Sequence, residues 1–285
     1  MSTTVRVLLR EAAGRLTPVS DSGSSDAQAL LRFVLGTDRA WLIAHPDAEI
    51  NASQRAQFDA LVERAASGEP LPYLLGRWPF YDRDFIVTPA VLIPRPETEL
   101  LLEQALAFSV DRALTAIDVG TGSGALAVTL AALRPRAEVF ATDASADALV
   151  VARQNACLYD APVTFLLGDL LTPLIERRVH SDLIMANLPY IPSDEVDRLP
   201  VSKHEPRQAL DGGRDGLDLI RRLLVQVLLV LNPGGLVLLE FMSGQGETVA
   251  AEARRLLPNA AVEILHDYAG HDRIACVRPL VAAKS

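Results

Sequence analysis

The chain has 285 residues, of which 49% are hydrophobic and 22% charged, and its net charge is −9. This balance is typical of a globular protein with one large or two modest domains. No apolar run approaches the roughly 20 residues that a membrane-spanning helix needs, and the charged N-terminus lacks the pattern of a signal peptide. The acidic total argues against affinity for a nucleic-acid backbone, which depends on lysine and arginine. We expect a cytoplasmic monomer that binds neither membranes nor nucleic acid directly.

Residues 1–76 have the apolar spacing of helices. An apolar stripe recurs every three or four residues through Val5–Leu16, and comparable stripes lie around Leu30 and Phe58. The Ser25–Gln28 segment has the spacing of a capping box and predicts the start of the second helix. We therefore predict that this region forms a small helical bundle, and it carries no chemical motif.

Residues 77–95 contain aromatic and β-branched residues interrupted by Asp, Thr and Pro, which predicts a β-hairpin linker. From Pro96, which suits the first turn of a helix, apolar runs alternate with helical patterns through residues 96–285. The runs that predict strands are Ala116–Val119, Val139–Thr142, Thr164–Leu167, Leu183–Ala186, Leu236–Phe241, Val262–Leu265 and Arg273–Arg278. This alternation predicts an α/β domain with a seven-stranded, mostly parallel sheet between helices. The last connection is too short for a crossover helix, so the last strand should be antiparallel.

A glycine-rich run at the end of the first of these strands predicts a ligand site, because glycine permits positive φ and close approach of a ligand to the backbone. Asp143 ends the next strand and can accept hydrogen bonds from both ribose hydroxyls of an adenosine ligand. Asp169 can reach an adenine amino group, with Leu170 against the ring. The predicted cofactor-binding residues are Asp118, Gly120, Thr121, Gly122, Ser123, Gly124, Asp143, Asp169, Leu170 and Asn187. This pattern fits S-adenosylmethionine and NAD alike.

The turn Asn187-Leu188-Pro189-Tyr190 follows the fourth of these strands. The Asn187 side-chain oxygen and the Leu188 carbonyl can each accept one N–H of a substrate amino group, and Tyr190 can stack on a planar substrate. We predict that these four residues bind the substrate and catalyse methylation of an amide or exocyclic amine. The five histidines have no metal-ligand spacing, so we predict no metal.

The sequence resembles the class I S-adenosylmethionine-dependent methyltransferases and, more specifically, the release factor glutamine N5-methyltransferases (PrmC/HemK family). The segments that carry the resemblance are Gly68–Gly76, Leu92–Glu99, Asp118–Gly124, Asn187–Ile191, His204–Leu210 and Asp215–Leu217. The resemblance implies S-adenosyl-L-methionine as cofactor and a class I peptide-chain release factor as partner, methylated on N5 of its Gly-Gly-Gln glutamine. It also implies that residues 1–76 help to engage the release factor. We further expect Arg95, in the most specific segment, to bind substrate.

Two positions depart from the family pattern. Leu188 stands where the family has a proline, which keeps the backbone carbonyl but loses the rigid φ, and the residues after Glu240 lack the usual glycine. The form Asn-Leu-Pro-Tyr also occurs in ribosomal-RNA adenine dimethyltransferases, so N6-adenine methylation of RNA or DNA is the alternative. Those enzymes lack the Leu92–Glu99 segment and a helical bundle of this kind. A nicotinamide-dependent oxidoreductase would leave Asn187–Tyr190 unexplained, and a non-enzymatic binding module would give no reason for the Asp118, Asp143 and Asn187 set.

Overall fold

The computed structural model describes residues 4–110, 112–257 and 259–279. The chain divides between Arg77 and Trp78 into two compact units. The first unit is helical, and its helices are α1 (Val5–Leu16), α2 (Gly23–Leu35), α3 (Arg39–Ala44), α4 (Ala52–Ala66) and α5 (Leu71–Leu75). Leu8, Leu30 and Phe58 are fully buried in its core, on the apolar stripes that predicted the helices. None of the described helices is long and apolar enough to cross a membrane.

The start of the second helix differs from the prediction. Helix α2 begins at Gly23, so Ser25 lies inside its first turn, and the Asp26 carboxylate accepts hydrogen bonds from two upstream serine hydroxyls. A capping box occurs instead at α4, where the Asn51 side chain and the Gln54 backbone, and the reverse pair, are hydrogen-bonded. The prediction of a capping box at Ser25–Gln28 was therefore wrong, because the helix begins two residues earlier and Asp26 in its first turn is hydrogen-bonded to the serines of the preceding loop.

The second unit opens with a hairpin and continues as alternating strands and helices. The hairpin strands are β1 (Arg77–Phe80) and β2 (Arg83–Ile86). Next come α6 (Thr98–Phe108), β3 (Thr115–Val119), α7 (Ala125–Leu133), β4 (Glu138–Asp143), α8 (Ala146–Leu158), β5 (Val163–Leu167), α9 (Thr172–Glu176) and β6 (Ser181–Ala186). The remaining elements are α10 (Ser193–Val196), α11 (Asp218–Val230), β7 (Leu231–Glu240), α12 (Gly246–Leu256), β8 (Ala261–His266) and β9 (Asp272–Arg278). Pro96 lies in the turn just before α6.

Seven strands form one sheet in the order β5-β4-β3-β6-β7-β9-β8. The strands from β5 to β7 are parallel, and β9 is antiparallel to both β7 and β8. This confirms the predicted mostly parallel sheet with an antiparallel last strand. Val119, at the end of β3, is level with Thr142 of β4 and Ala186 of β6, so the carboxyl ends of these three strands meet at one edge.

Alternate residues of the central strands bury their side chains on opposite faces of the sheet, as the pleat requires. Ala116 and Leu183 pack in the core beneath α6, α7 and α8, whereas Ile117 and Ile184 pack in the core formed with α9, α11 and α12. Both faces of β3 and β6 are therefore apolar and covered by helices. This rigid centre leaves the loops after β3, β4 and β6 to carry the polar residues.

Candidate active site

The glycine loop after β3 is organised by Asp118. Its Oδ2 accepts hydrogen bonds from Thr121 Oγ1 at 2.7 Å and from the backbone N–H of Ala127 at 3.2 Å. Burial raises the pKa of Asp118 to about 7, against the opposing effect of these two bonds. Asp118 thus fastens the loop to the start of α7, which makes it a residue that shapes the site from beneath.

Asp143 joins the ends of β4 and β3. Its Oδ2 accepts a hydrogen bond from the Gly122 N–H at 2.9 Å, and its Oδ1 accepts one from the Ser145 N–H at 2.8 Å. Burial raises its pKa, while the backbone N–H groups lower it. Each carboxylate oxygen has two acceptor positions, so Asp143 keeps capacity for ligand hydroxyls. The φ of Gly122 is +54°, and a Cβ there would meet nothing within 4 Å, so the loop faces open space at this point.

A cavity of about 500 Å³ lies at the carboxyl ends of β3, β4 and β6. This volume is within the roughly 300–1000 Å³ of small-molecule sites. The predicted residues that line it are Arg95, Asp118, Gly120, Thr121, Gly122, Ser123, Asp143, Asp169, Leu170, Asn187, Leu188 and Pro189. Gly124 is not among them: it caps α7 with φ +83°, and a Cβ there would crowd Ala152.

Asp169, predicted to reach adenine, forms an ion pair with Arg222 of α11, and both residues line the cavity. Both side chains are about half exposed, and ion pairs at such positions contribute little to stability. The pair can therefore open for a ligand at small cost. Leu170 beside it is buried with a positive φ of 49°, which holds its backbone in a conformation uncommon for leucine.

The Asn187 amide contacts Thr98 of α6, whose Oγ1 accepts a hydrogen bond from Asn187 Nδ2 at 2.9 Å. The other polar atom of the amide, Asn187 Oδ1, is not bonded to Thr98 in this arrangement. Among the residues that the structure describes, none donates a hydrogen bond to Asn187 Oδ1 or to the Leu188 carbonyl oxygen. The Leu188 side chain is buried and packs next to Gly120. Two acceptors thus remain available at the cavity wall.

The backbone of the Asn187 turn is held from two sides. One is the segment that follows the 3₁₀ turn Arg207–Ala209, and the other is Gln245, which precedes α12. Gly212 N–H donates to the Ile191 carbonyl at 2.8 Å, and Gln245 Nε2 donates to the Tyr190 carbonyl at 3.0 Å. A Cβ on Gly212 would lie 2.6 Å from the Pro189 carbonyl oxygen, and one on Gly216 would lie 2.2 Å from that of Tyr190. Glycine is required at both positions because the two backbones touch.

Tyr190 lines a second, smaller cavity of about 140 Å³, together with Arg95 and the rest of the Asn187 turn. Its hydroxyl donates to Glu240 Oε1 at 3.4 Å. Glu240, at the end of β7, is fully buried, and burial raises its pKa to about 7. Burial and the neighbouring Glu240 both raise the pKa of Tyr190, so its phenol stays neutral.

Arg95 borders both cavities. Its Nη2 donates to both carboxylate oxygens of Glu205, each at 2.7 Å, and only 1% of the Glu205 side chain is exposed. Burial raises the pKa of Glu205, and Arg95 opposes that shift. Glu205 therefore fixes one edge of the guanidinium at the rim.

Sequence reasoning missed Thr98, Glu205, Glu240 and Gln245 as site residues. Thr98 and Glu205 lie within segments that carry the family resemblance, which was the one available signal for them. Within the described part of the chain, no three His, Cys, Asp or Glu residues form a group that could hold a metal ion.

Comparison with known proteins assigns both units. Residues 7–76 match the family model described as PrmC N-terminal domain, and residues 96–201 match the methyltransferase small domain. The release factor glutamine methyltransferase of Moorella thermoacetica is 43% identical over 275 residues, covering 95% of this chain and 96% of that protein. That of Geobacter sulfurreducens is 41% identical, covering 86% of this chain and 87% of that protein.

Solved structures agree on the fold. A methyltransferase from Pyrococcus furiosus matches with a TM-score of 0.55 at 18% identity, covering 80% of this chain and 99% of that one. The 16S rRNA N2 G1207 methyltransferase of T. thermophilus, solved with AdoMet and guanosine, matches with a TM-score of 0.51 at 16% identity, covering 71% and 49%. At these identities the likeness shows the class I methyltransferase fold alone.

Proposed function

Because the chain belongs to the release factor glutamine methyltransferase family, we propose that it methylates the side-chain amide nitrogen of a glutamine in a peptide-chain release factor. S-adenosylmethionine, when bound, supplies a methyl group on a positively charged sulfur. The residues that would hold it are Asp143 for the ribose, Gly120–Ser123 for the main body, and Asp169 with Leu170 for the adenine. The open space at Gly122 and the 500 Å³ cavity fit a ligand of that size.

The observation that carries the proposal is the orientation of the Asn187 amide. Thr98 holds its nitrogen, so the oxygen and the Leu188 carbonyl remain as acceptors at the wall of the cavity. A glutamine side chain ends in an NH2 group that offers two N–H donors. The turn therefore matches a primary amide nitrogen, one donor to each acceptor.

These two acceptors also address the chemistry of the substrate. An amide nitrogen is a weak nucleophile, because its lone pair is delocalised into the carbonyl group. Holding both N–H groups aims the nitrogen at the methyl group, and positioning of this kind can supply several kcal/mol. The same acceptors stabilise the positive charge that develops on the nitrogen. We propose that Tyr190 stacks on the amide plane and that Arg95, at the rim of both cavities, binds the peptide.

The alternative substrate, an adenine of RNA or DNA, would need a basic surface near the cavity. The arginines that line the cavity are both paired with carboxylates: Arg222 with Asp169, and Arg95 with Glu205. Phosphate binding would have to displace these carboxylates. The geometry thus favours a peptide over a nucleic acid.

Incubation with labelled S-adenosylmethionine tests the proposal directly. A release factor and ribosomal RNA are offered in parallel, and mass spectrometry locates the methyl group. We expect one methyl on the Gly-Gly-Gln glutamine, none on RNA, and no transfer to a release factor whose glutamine is replaced by glutamate. Labelled RNA with an unmodified release factor would overturn the proposal.

We propose that the helical unit recognises the release factor, since it has its own hydrophobic core and its sequence carries no chemical motif. A protein that begins at Trp78 should bind S-adenosylmethionine as the full chain does, while its KM for the release factor should rise at least about tenfold, a loss of roughly 1.4 kcal/mol. Circular dichroism checks that it folds. An unchanged KM would leave the helical unit without a role in recognition. We also place the enzyme in the cytoplasm, where release factors act, as a monomer that contacts no nucleic acid directly.

A further inference from the structure

Glu240 is buried beneath the Asn187 turn and is not used by the reaction described so far. Its carboxyl accepts from the Tyr190 hydroxyl through Oε1, whereas Oε2 is buried without a hydrogen-bond partner among the described residues. The Thr98 hydroxyl is the hydrogen-bonding group that most lowers the pKa of Glu240, although no bond of regular geometry joins the two. A buried carboxyl with an unpartnered oxygen requires an explanation.

The hydrogen bonds of Thr98 supply an explanation for the unpartnered oxygen of Glu240. Thr98 Oγ1 accepts from Asn187 Nδ2 at 2.9 Å, so its own proton must go to a different acceptor. The effect of Thr98 on the pKa of Glu240 places this hydroxyl beside the carboxyl of Glu240, which can take the proton's hydrogen bond. The result is a chain in one direction: the Asn187 amide donates to Thr98, and Thr98 can donate to Glu240.

We propose that Glu240 is a positioning residue for methyl transfer, because its carboxylate sets the direction of the chain through Thr98 that keeps Asn187 Oδ1 turned toward the substrate, and also holds the Tyr190 hydroxyl. This inference rests on the proposed role of Asn187 as an acceptor for the substrate amide.

Protonation of Glu240 reverses the chain. A carboxylic acid donates to Thr98 Oγ1, and the Thr98 proton then finds its acceptor in Asn187 Oδ1, which requires the amide to rotate. The rotated amide presents N–H groups to a substrate that also presents N–H groups. Methyl transfer should therefore fail in the protonated form.

The groups around Glu240 determine the pH at which its carboxyl loses the proton. From α6 and the turn before it, Glu97 raises the pKa of Glu240 and Thr98 lowers it; from β9, Arg273 lowers it; and Tyr190 lowers it by hydrogen bonding. Burial outweighs these effects and brings the pKa to about 7. Activity should rise with pH through this value as the carboxylate forms.

The test is the pH profile of kcat between about pH 5.5 and 9, with release factor and S-adenosylmethionine both saturating. We expect kcat of the wild type to fall about tenfold per pH unit below the pKa of Glu240, as for a single required deprotonation. The glutamine amide in Glu240→Gln does not titrate and can either donate or accept a hydrogen bond. The fall of kcat at low pH, the acidic limb of the profile, should therefore vanish in this variant, and kcat at pH 8 should be lowered roughly tenfold. Glu263→Gln, the same change at an exposed position of β8, should keep the wild-type profile.

Thr98→Val removes the link while keeping the shape of the side chain, and it should also flatten the acidic limb. Thr98→Ser should restore the limb, which a merely structural role of Thr98 would not predict. The affinity for S-adenosylmethionine, measured by calorimetry, should stay within about twofold in Glu240→Gln and Glu263→Gln, because neither residue lines the large cavity.

A ¹³C NMR titration of the glutamate carboxyls gives a readout that needs no turnover. The resonance absent from Glu240→Gln should titrate near pH 7 in the wild type and shift in Thr98→Val. The inference would be overturned if kcat of Glu240→Gln fell at low pH as it does in the wild type. If Glu240→Gln does not fold, the same result in Thr98→Val would overturn it. An inactive wild type would instead count against the proposed function, and the titration alone would then decide whether Glu240 and Thr98 are coupled.

Discussion

The two walls of the large cavity use their polar groups in opposite ways. On the proposed cofactor wall, which consists of Asp118, Gly120–Ser123 and Asp143, both carboxylates accept hydrogen bonds from this loop and from the residues that begin the next helix. On the proposed substrate wall, which consists of Asn187–Pro189, the Asn187 oxygen and the Leu188 carbonyl receive no hydrogen bond from any described residue. The first wall is thus shaped by its own hydrogen bonds, whereas the second has two acceptors that no described residue uses, as the proposed binding of a substrate amide requires.

The largest effect should come from the substrate wall. Asn187→Ala should lower kcat by roughly 30- to 1000-fold, because one positioning hydrogen bond in a closed site contributes about 2–4 kcal/mol to the transition state. The affinity for S-adenosylmethionine and the Tm should change little. Single-turnover methylation measured beside thermal melting checks both.

Asn155 offers the matched control for that substitution. It is fully buried, and its amide bonds the Ile86 backbone at 2.7 and 3.0 Å and the Ser123 carbonyl at 2.8 Å. Asn155→Ala should therefore cost about 2–4 kcal/mol of stability, with activity falling only as folding fails. Equal losses of Tm in the two alanine variants would mean that Asn187 is a structural turn residue.

On the cofactor wall, Asp143→Ala should weaken S-adenosylmethionine binding by about 1–3 kcal/mol, or roughly 5- to 150-fold in Kd. The loss combines the ligand bonds with the released Gly122 N–H. Calorimetry measures it, and kcat at saturating cofactor should stay within a few-fold of wild type. Asp147→Ala, at an exposed position in the first turn of α8, serves as the control. Wild-type affinity in Asp143→Ala would remove this residue from the cofactor site.

The stability of the cofactor wall should depend on pH through Asp118. Its pKa in the folded protein, about 7, lies above the ordinary 3.8, so the folded state holds the proton more tightly. The resulting stability is complete below about pH 4 and is lost as the pH rises to 7, at up to about 1.4 kcal/mol per pH unit. Asp118→Asn cannot ionise and should show a shallower decline in urea melts between pH 5 and 7.5. Parallel curves for the two proteins would contradict this account.

The smallest effect is expected for Leu188→Pro. The carbonyl remains, φ becomes fixed, and no described residue accepts a hydrogen bond from the Leu188 N–H, so none is lost. We expect kcat to stay within about threefold of wild type or to rise, since rigidity lowers the cost of ordering the turn. The change also removes a buried side chain, and thermal melting reports that separately. A large fall in kcat without a fall in Tm would show that leucine itself matters to the reaction.

Sequence reasoning succeeded where the signal is local. Apolar runs such as Ala116–Val119 and Leu183–Ala186 marked the strands, since a strand buried on both faces reads as a continuous apolar segment. The antiparallel last strand then followed from the short connection before it, whereas the order of the strands in the sheet was not predicted. The start of α2 was missed, because Ser25 and Asn51 have the same local spacing and only tertiary contacts choose between them.

The candidate site was harder to predict in its supporting residues than in its motifs. Thr98 meets Asn187 across 89 residues of sequence, and Glu240 meets Tyr190 across 50. No local pattern encodes such pairs, because they arise only when β6, β7 and α6 are brought together. The same limit applies to Asp169, whose pairing with Arg222 depends on the placement of α11.

The contact of Gly212 and Gly216 with the Asn187 turn has a consequence for sequence variation. A Cβ at Gly212 would overlap the carbonyl oxygen of Pro189, and one at Gly216 would overlap that of Tyr190, so either would displace the turn. In a saturation library selected for methylation, both positions should tolerate glycine alone. Gly234, within β7 at a positive φ and with nothing within 4 Å of an added Cβ, should accept asparagine, which tolerates that φ. The number of residue types that each of these two positions accepts in the selected library therefore measures how closely the backbone packs against the Asn187 turn.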